Sequence, residues 1–201
     1  MSSPTPPPAA PFPPMTLALA GLAVLAASTS LIPPDVRPWN VSALGALALF
    51  AAARLRLPVA LAVFAAGMAV KELGVYLVFG FEPSPTTWLC FGLYLALGRA
   101  ALRATESPLR IGLTAVGASV LFFLITNFGA WLRMALPYER SLAGLMDSYA
   151  AGIPFYRGTF LGDVGFSAAL FGAHALLSRT YFPAEQVRPA TTAVRDAGGA
   201  W

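Results

Sequence analysis

Two apolar stretches, residues 109–132 and 158–177, flank an amphipathic connector over residues 133–157. A helix needs about 20 apolar residues to cross a hydrocarbon layer about 30 Å thick, and both stretches are that long. Polar side chains stand inside them: Thr126 and Asn127 in the first, Asp163 and Ser167 in the second. A carboxylate at such a depth is costly unless it faces a cavity or a partner. Asp163 therefore marks the first place to look for a site, and no known catalytic motif surrounds it.

The rest of the chain has the same character. Of its 201 residues 57% are hydrophobic and 11% charged, against about 25% charged in a soluble domain. The expected fold class is all-α, an integral membrane bundle of six transmembrane helices with a short interfacial helix between the fifth and sixth. The net charge of +4 is spread thinly, with no basic run suited to nucleic acid. Cys90 has no second cysteine to pair with and reads as a small buried hydrophobe, with a thiolate ligand as the alternative. No CxxC or HExxH occurs and His174 stands alone, so neither a metal site nor a cofactor is expected.

Residues 1–14 are Pro-rich and uncharged, which predicts a disordered N-terminus. The first segment runs from Met15 to Pro33-Pro34 and has no preceding Lys or Arg, so it reads as a spanning helix rather than a secretory signal. Asn40 is placed as an N-cap for the second segment, residues 41–53, which is short for a span and stops at Arg54. Pro58 opens a third helix ending near Gly80, with Lys71 and Glu72 near its middle. The fourth covers residues 86–102 and the fifth residues 109–132, with Ser107-Pro108 marking the break between them. Pro137 and Pro154 bracket residues 140–152, where Leu142, Leu145, Met146 and Tyr149 recur at helical spacing. That pattern predicts a helix lying on the membrane or over a cavity. The sixth helix, residues 158–177, closes a transmembrane domain taken as residues 15–180, and residues 181–201 read as a disordered tail.

With six crossings, Arg54, Arg56, Arg99, Arg103, Arg110, Arg179, Arg188 and Arg195 share one side, and Arg37, Arg133, Arg140 and Arg157 the other. The positive-inside rule then puts both termini in the cytoplasm. On that topology Asn40, Lys71, Glu72, Asn127 and Asp163 fall in the outer half of the bundle, beneath Tyr149, Tyr156, Arg157 and the aromatic Trp131. The candidate substrate-binding set is Asp163, Asn127, Lys71, Glu72, Asn40, Tyr156, Arg157 and Trp131. Packing roles stand beside it: Asn127 bonding a neighbouring helix, Asp163 capping or pairing with Arg157, Lys71 neutralised by Glu72 or Asp163.

The stretches Trp39-Asn40 with residues 43–50, FFLITNFGAW at 122–131, residues 141–149 and IPFYRGTFLGDVGFSAALFG at 153–172 resemble a bacterial membrane family of unknown function, DUF6580. The likeness covers residues 37–177, and its last block holds Pro154, Phe155, Arg157, Thr159, Leu161, Gly162 and Asp163. Lys71-Glu72-Leu73 departs from it, standing where a Ser-Asp-Leu type sequence is more usual. The family is similar in architecture to the substrate-binding S-components of energy-coupling-factor vitamin transporters. The resemblance implies six helices, both termini inside and an outward site under loops.

The function expected from these readings is substrate capture for uptake of a vitamin or similar micronutrient across a bacterial inner membrane. No GxxxxGK[ST] sequence occurs, so ATP chemistry would belong to a partner, an energy-coupling transmembrane subunit with its ATPases. The alternative is a membrane scaffold or assembly factor. No nucleophile–base pair is identifiable, so an enzyme is not expected.

Overall fold

The computed structural model describes residues 41–80, 82–133 and 138–180, with Gly21, Ser28 and Ile32 as isolated positions. The expectations for the first helix, Asn40, residues 134–137 and both chain ends lie outside the described residues. Among the described residues there are five helices and no strand: α1 Leu44–Arg54, α2 Leu57–Phe79, α3 Pro85–Leu102, α4 Pro108–Leu132 and α5 Leu142–Thr180.

Proline and small polar residues punctuate the chain close to the expected boundaries, with the helices expected from residues 86 and 109 each starting one residue earlier, at a proline. Pro58, Pro85 and Pro108 each sit in a first helical turn, where the missing N–H would have had no intrahelical partner. Ser107 caps α4, its side chain accepting from the Arg110 N–H at 3.4 Å. Gly80 ends α2 in the left-handed conformation at φ 70°, its N–H donating to the Tyr76 carbonyl. That conformation is open to glycine at little cost.

Three of the helices, α2, α4 and α5, are long and apolar enough to cross a membrane. α3, with 18 residues and Arg99 in its last turn, is not among them. Large apolar side chains face outward along the long helices, for example Leu77, Val78, Leu109, Leu113, Leu124 and Leu161. The interior holds Glu72, Ser119, Ser148, Asp163, Ser167, His174 and Ser178. These polar residues lie among a larger set of buried apolar ones, while the outward faces of the long helices are themselves apolar, a surface compatible with hydrocarbon solvent.

α1 sits at the centre. Every residue from Leu44 to Ala53 is buried, and its 11 residues reach only about 17 Å, about half the hydrocarbon thickness. Glycines let its neighbours approach it closely. A Cβ at Gly98 would collide with the Leu49 backbone, and one at Gly162 with the Ser42 backbone. Gly45 lies against Tyr94 and Asp163, and Phe50 meets Phe171 edge-on at 5.2 Å. These pairs ascend together in sequence, so α1, α3 and α5 run the same way.

The two arginines at the ends of α1 and α3 cap each other's helices. Arg54 of α1 donates to the Leu102 carbonyl at 2.8 Å and to that of Thr105 at 2.6 Å. Arg99 of α3 donates to the Ala52 and Leu55 carbonyls, both at 3.4 Å. A guanidinium suits this place because the last carbonyls of a helix have no intrahelical donors and carry the negative end of its dipole. The Arg54 guanidinium also lies 4.9 Å from the Phe171 ring centroid. At the same end of the bundle Arg179 pairs with Glu106 at 3.8 Å.

The expected interfacial helix over residues 140–152 is corrected by the structure. Those residues begin α5, a single helix of 39 residues with Pro154 inside it. Gly144, Ser148 and Gly152 recur every fourth residue and form its buried face there. Ser148 donates its hydroxyl to the Asn127 carbonyl at 2.9 Å, and Tyr149 donates to that of Leu124 at 3.2 Å. These contacts dock the segment antiparallel on α4 rather than across its end. Proline removes one helical hydrogen bond, which a helix held by such a neighbour survives. At about 1.5 Å per residue α5 is about 58 Å long, well beyond the roughly 30 Å hydrocarbon layer.

Candidate functional site

All five helices meet around a cavity of about 150 Å³ at the N-terminal end of α1. Ser42 and Gly45 border it from α1 and its approach, Lys71 and Val75 from α2, and Thr87 and Phe91 from α3. Phe122 of α4 and Thr159 and Asp163 of α5 complete the wall. The cavity therefore lies toward the end of the bundle opposite the Arg54, Arg99 and Arg179 cluster.

Asp163 is 3% exposed, and Tyr94, 1% exposed, donates its hydroxyl to the Asp163 Oδ2 at 2.5 Å. Its other oxygen, Oδ1, packs on Gly45, where any side chain would displace it. Gly45 is in the first turn of α1, whose N–H groups carry the positive end of the helix dipole. The carboxylate thus has one hydroxyl donor and a partial positive charge beside it. The two ion pairs among the described residues, Lys71–Glu72 and Arg179–Glu106, both leave Asp163 out.

Lys71 is the cation on the cavity wall, and it is already engaged: its Nζ lies 2.7 Å from the Glu72 Oε1. Of the two partners expected for Lys71, Glu72 and Asp163, the structure pairs it with Glu72. Neighbours in sequence pair with each other, and a tyrosine 69 positions before Asp163 takes the carboxylate instead.

A second cavity of about 120 Å³ adjoins the first, with Phe122 and Thr159 bordering both. Asn127, Tyr156 and Gly152 line it. Asn127 donates its Nδ2 to the Phe123 carbonyl at 2.8 Å and fits against Gly152. The Tyr156 hydroxyl lies 3.4 Å from the Ser119 Oγ. The structure thus brings Asp163 and Lys71 together in one cavity, and Asn127 and Tyr156 in the next. Glu72 is buried behind Lys71. Trp131 donates to the Glu139 carbonyl at the end of α4, Arg157 is exposed, and neither borders these cavities. Asn40 lies outside the described residues.

The chain matches the DUF6580 family of unknown function over residues 12–189. It belongs to that family. No curated protein and no solved structure matches the chain. Membership in DUF6580 supplies no activity, so the chemistry of the site has to be read from its residues.

Sequence reasoning misses Tyr94, Gly45, Ser42, Thr87 and Thr159 in this DUF6580 member. One signal pointed to Tyr94: a phenol inside an apolar helix carries a hydroxyl that needs a partner. Its spacing from Asp163 follows no local rule.

Proposed function

We propose that this DUF6580 member is a six-crossing protein of a bacterial inner membrane that captures a small micronutrient from the outer side. It works in the manner of an S-component, with any ATP chemistry supplied by a separate energy-coupling subunit. The observation that carries this reading is the buried Asp163 on the wall of a cavity to which every described helix contributes. A carboxylate without an ion-pair partner at that depth is an expensive thing to keep for packing alone. The distribution of arginine supports the orientation, since Arg54, Arg99 and Arg179 gather at the end away from the cavity. In this reading the protein binds and does not catalyse.

A second reading, a membrane scaffold with no small ligand, is favoured by one observation. The two cavities beside Asp163 and Asn127, about 150 and 120 Å³, are each smaller than the roughly 300–1,000 Å³ of most small-molecule sites. Asp163→Asn separates the two. Asparagine keeps the shape and can still accept from Tyr94. On the capture reading it weakens ligand binding by about 1–3 kcal/mol and leaves the melting temperature nearly unchanged. On the scaffold reading the melt changes and no ligand is found. Native mass spectrometry of protein purified in mild detergent supplies the ligand, and a thermal melt supplies the stability.

The topology has its own check. In a Cys90→Ala background, Arg56→Cys and Glu106→Cys are expected to be shielded from an impermeant thiol reagent applied outside, and Glu139→Cys to react. Outside labelling at position 56 or 106 would reverse the orientation.

A further inference from the structure

We propose that the Asp163 cavity receives the ammonium, or a comparable cationic head, of a small organic cation, with Asp163 as its counter-ion. This rests on the capture reading above and names the class of molecule captured. The charges on the cavity wall decide its preference. Lys71 and Asp163 are the ionisable residues bordering it, and the Lys71 ammonium is matched by the Glu72 carboxylate at 2.7 Å. What is left over is the Asp163 carboxyl, 3% exposed and outside both ion pairs among the described residues, whose ionised form a bound cation would stabilise.

An anionic ligand would have to compete with Glu72 for Lys71 and sit beside Asp163 uncompensated. Like charges brought together out of water are strongly disfavoured. A neutral ligand would leave the carboxylate as it is. A cation supplies the missing charge. The N-terminal end of α1 contributes about half a unit of positive charge at most, and Tyr94 contributes a neutral hydroxyl, so neither replaces a full cation. Phe91 and Phe122 bring aromatic rings to the same wall, and an aromatic ring attracts a desolvated ammonium placed over its face. At about 150 Å³ the cavity has the share of liquid volume of about five waters. That is room for a head group, and a longer ligand would run past Phe122 and Thr159 toward Asn127.

The test uses three probes of one skeleton, n-butylammonium, butyrate and 1-butanol, titrated calorimetrically into the detergent-solubilised full chain. Saturable binding of n-butylammonium is expected, with butyrate and 1-butanol at least tenfold weaker. In Asp163→Asn the n-butylammonium affinity is expected to fall at least tenfold. Butyrate or 1-butanol binding as tightly as the ammonium, and displaced by it, would overturn the cationic class while leaving capture of a ligand standing. Absence of binding by all three, together with a lowered melting temperature in Asp163→Asn, would overturn both. Absence of binding with an unchanged melt would overturn the cationic class alone. The comparison among probes on the unmutated chain needs no variant, so it decides the class even where Asp163→Asn does not fold.

Discussion

Gly98→Ala is expected to destabilise the bundle by about 3 kcal/mol, the upper part of the range for overpacking a core. An added Cβ would lie 2.8 Å from the Leu49 Cα and 2.9 Å from its carbonyl carbon. Both belong to the backbone of the enclosed α1, so no side chain can turn aside to relieve the clash. For a chain of this size such a loss lowers the melting temperature by about 6–12 °C. Gly92→Ala is the control on the same helix, because a Cβ there meets nothing within 4 Å. It is expected to stabilise α3 by up to about 1 kcal/mol through helix propensity alone. Thermal melts of the two variants side by side test whether close approach to α1 is what Gly98 provides. A matching pair of melts would remove that role.

Arg54→Ala is expected to cost about 3 kcal/mol or more, since it removes two charge-assisted hydrogen bonds at 2.8 and 2.6 Å and the contact over Phe171. The Leu102 and Thr105 carbonyls lose their donor at the same time. Arg54→Lys should recover little of this, because a single ammonium cannot fork between two carbonyls as a guanidinium does. Arg99→Ala should cost less, about 1 kcal/mol, its two contacts both being long at 3.4 Å. Denaturation of the three variants in one detergent ranks them. An Arg99 effect larger than that of Arg54 would contradict the division of labour between the two caps.

Some of this architecture is legible in the sequence because it rests on local chemistry. The starts of α2, α3 and α4 follow from Pro58, Pro85 and Pro108. The end of α2 follows from Gly80, which adopts positive φ. The beginning of α5 is not legible, because Pro154 reads as a boundary when only the chain before and after it is considered. What carries the helix through is docking on α4 by Ser148 and Tyr149, a tertiary effect. The enclosure of α1 leaves no periodic signal either. A helix buried on all sides is apolar on all sides, so it carries no amphipathic period to read.

The candidate site divides in the same way. Asp163 is legible by type and depth. Its partner is not, because Tyr94 reaches it through the packing of α1, α3 and α5 at Gly45 and Gly98. The second cavity was half legible: Asn127 stands out as an amide in an apolar run, whereas its seat against Gly152 depends on α5 being continuous.

That continuity has a mechanical consequence. One stiff rod bears the Asp163 carboxylate and, 16 residues further on, the guanidinium of Arg179 against Glu106. Those 16 residues of helix span about 24 Å, so a pivot of about 5° at Asp163 displaces the Arg179 end by about 2 Å. A slight reseating at the cavity would thus reach the Arg179–Glu106 pair at the other end of the bundle as a small swing of the α5 terminus, carried by the helix itself.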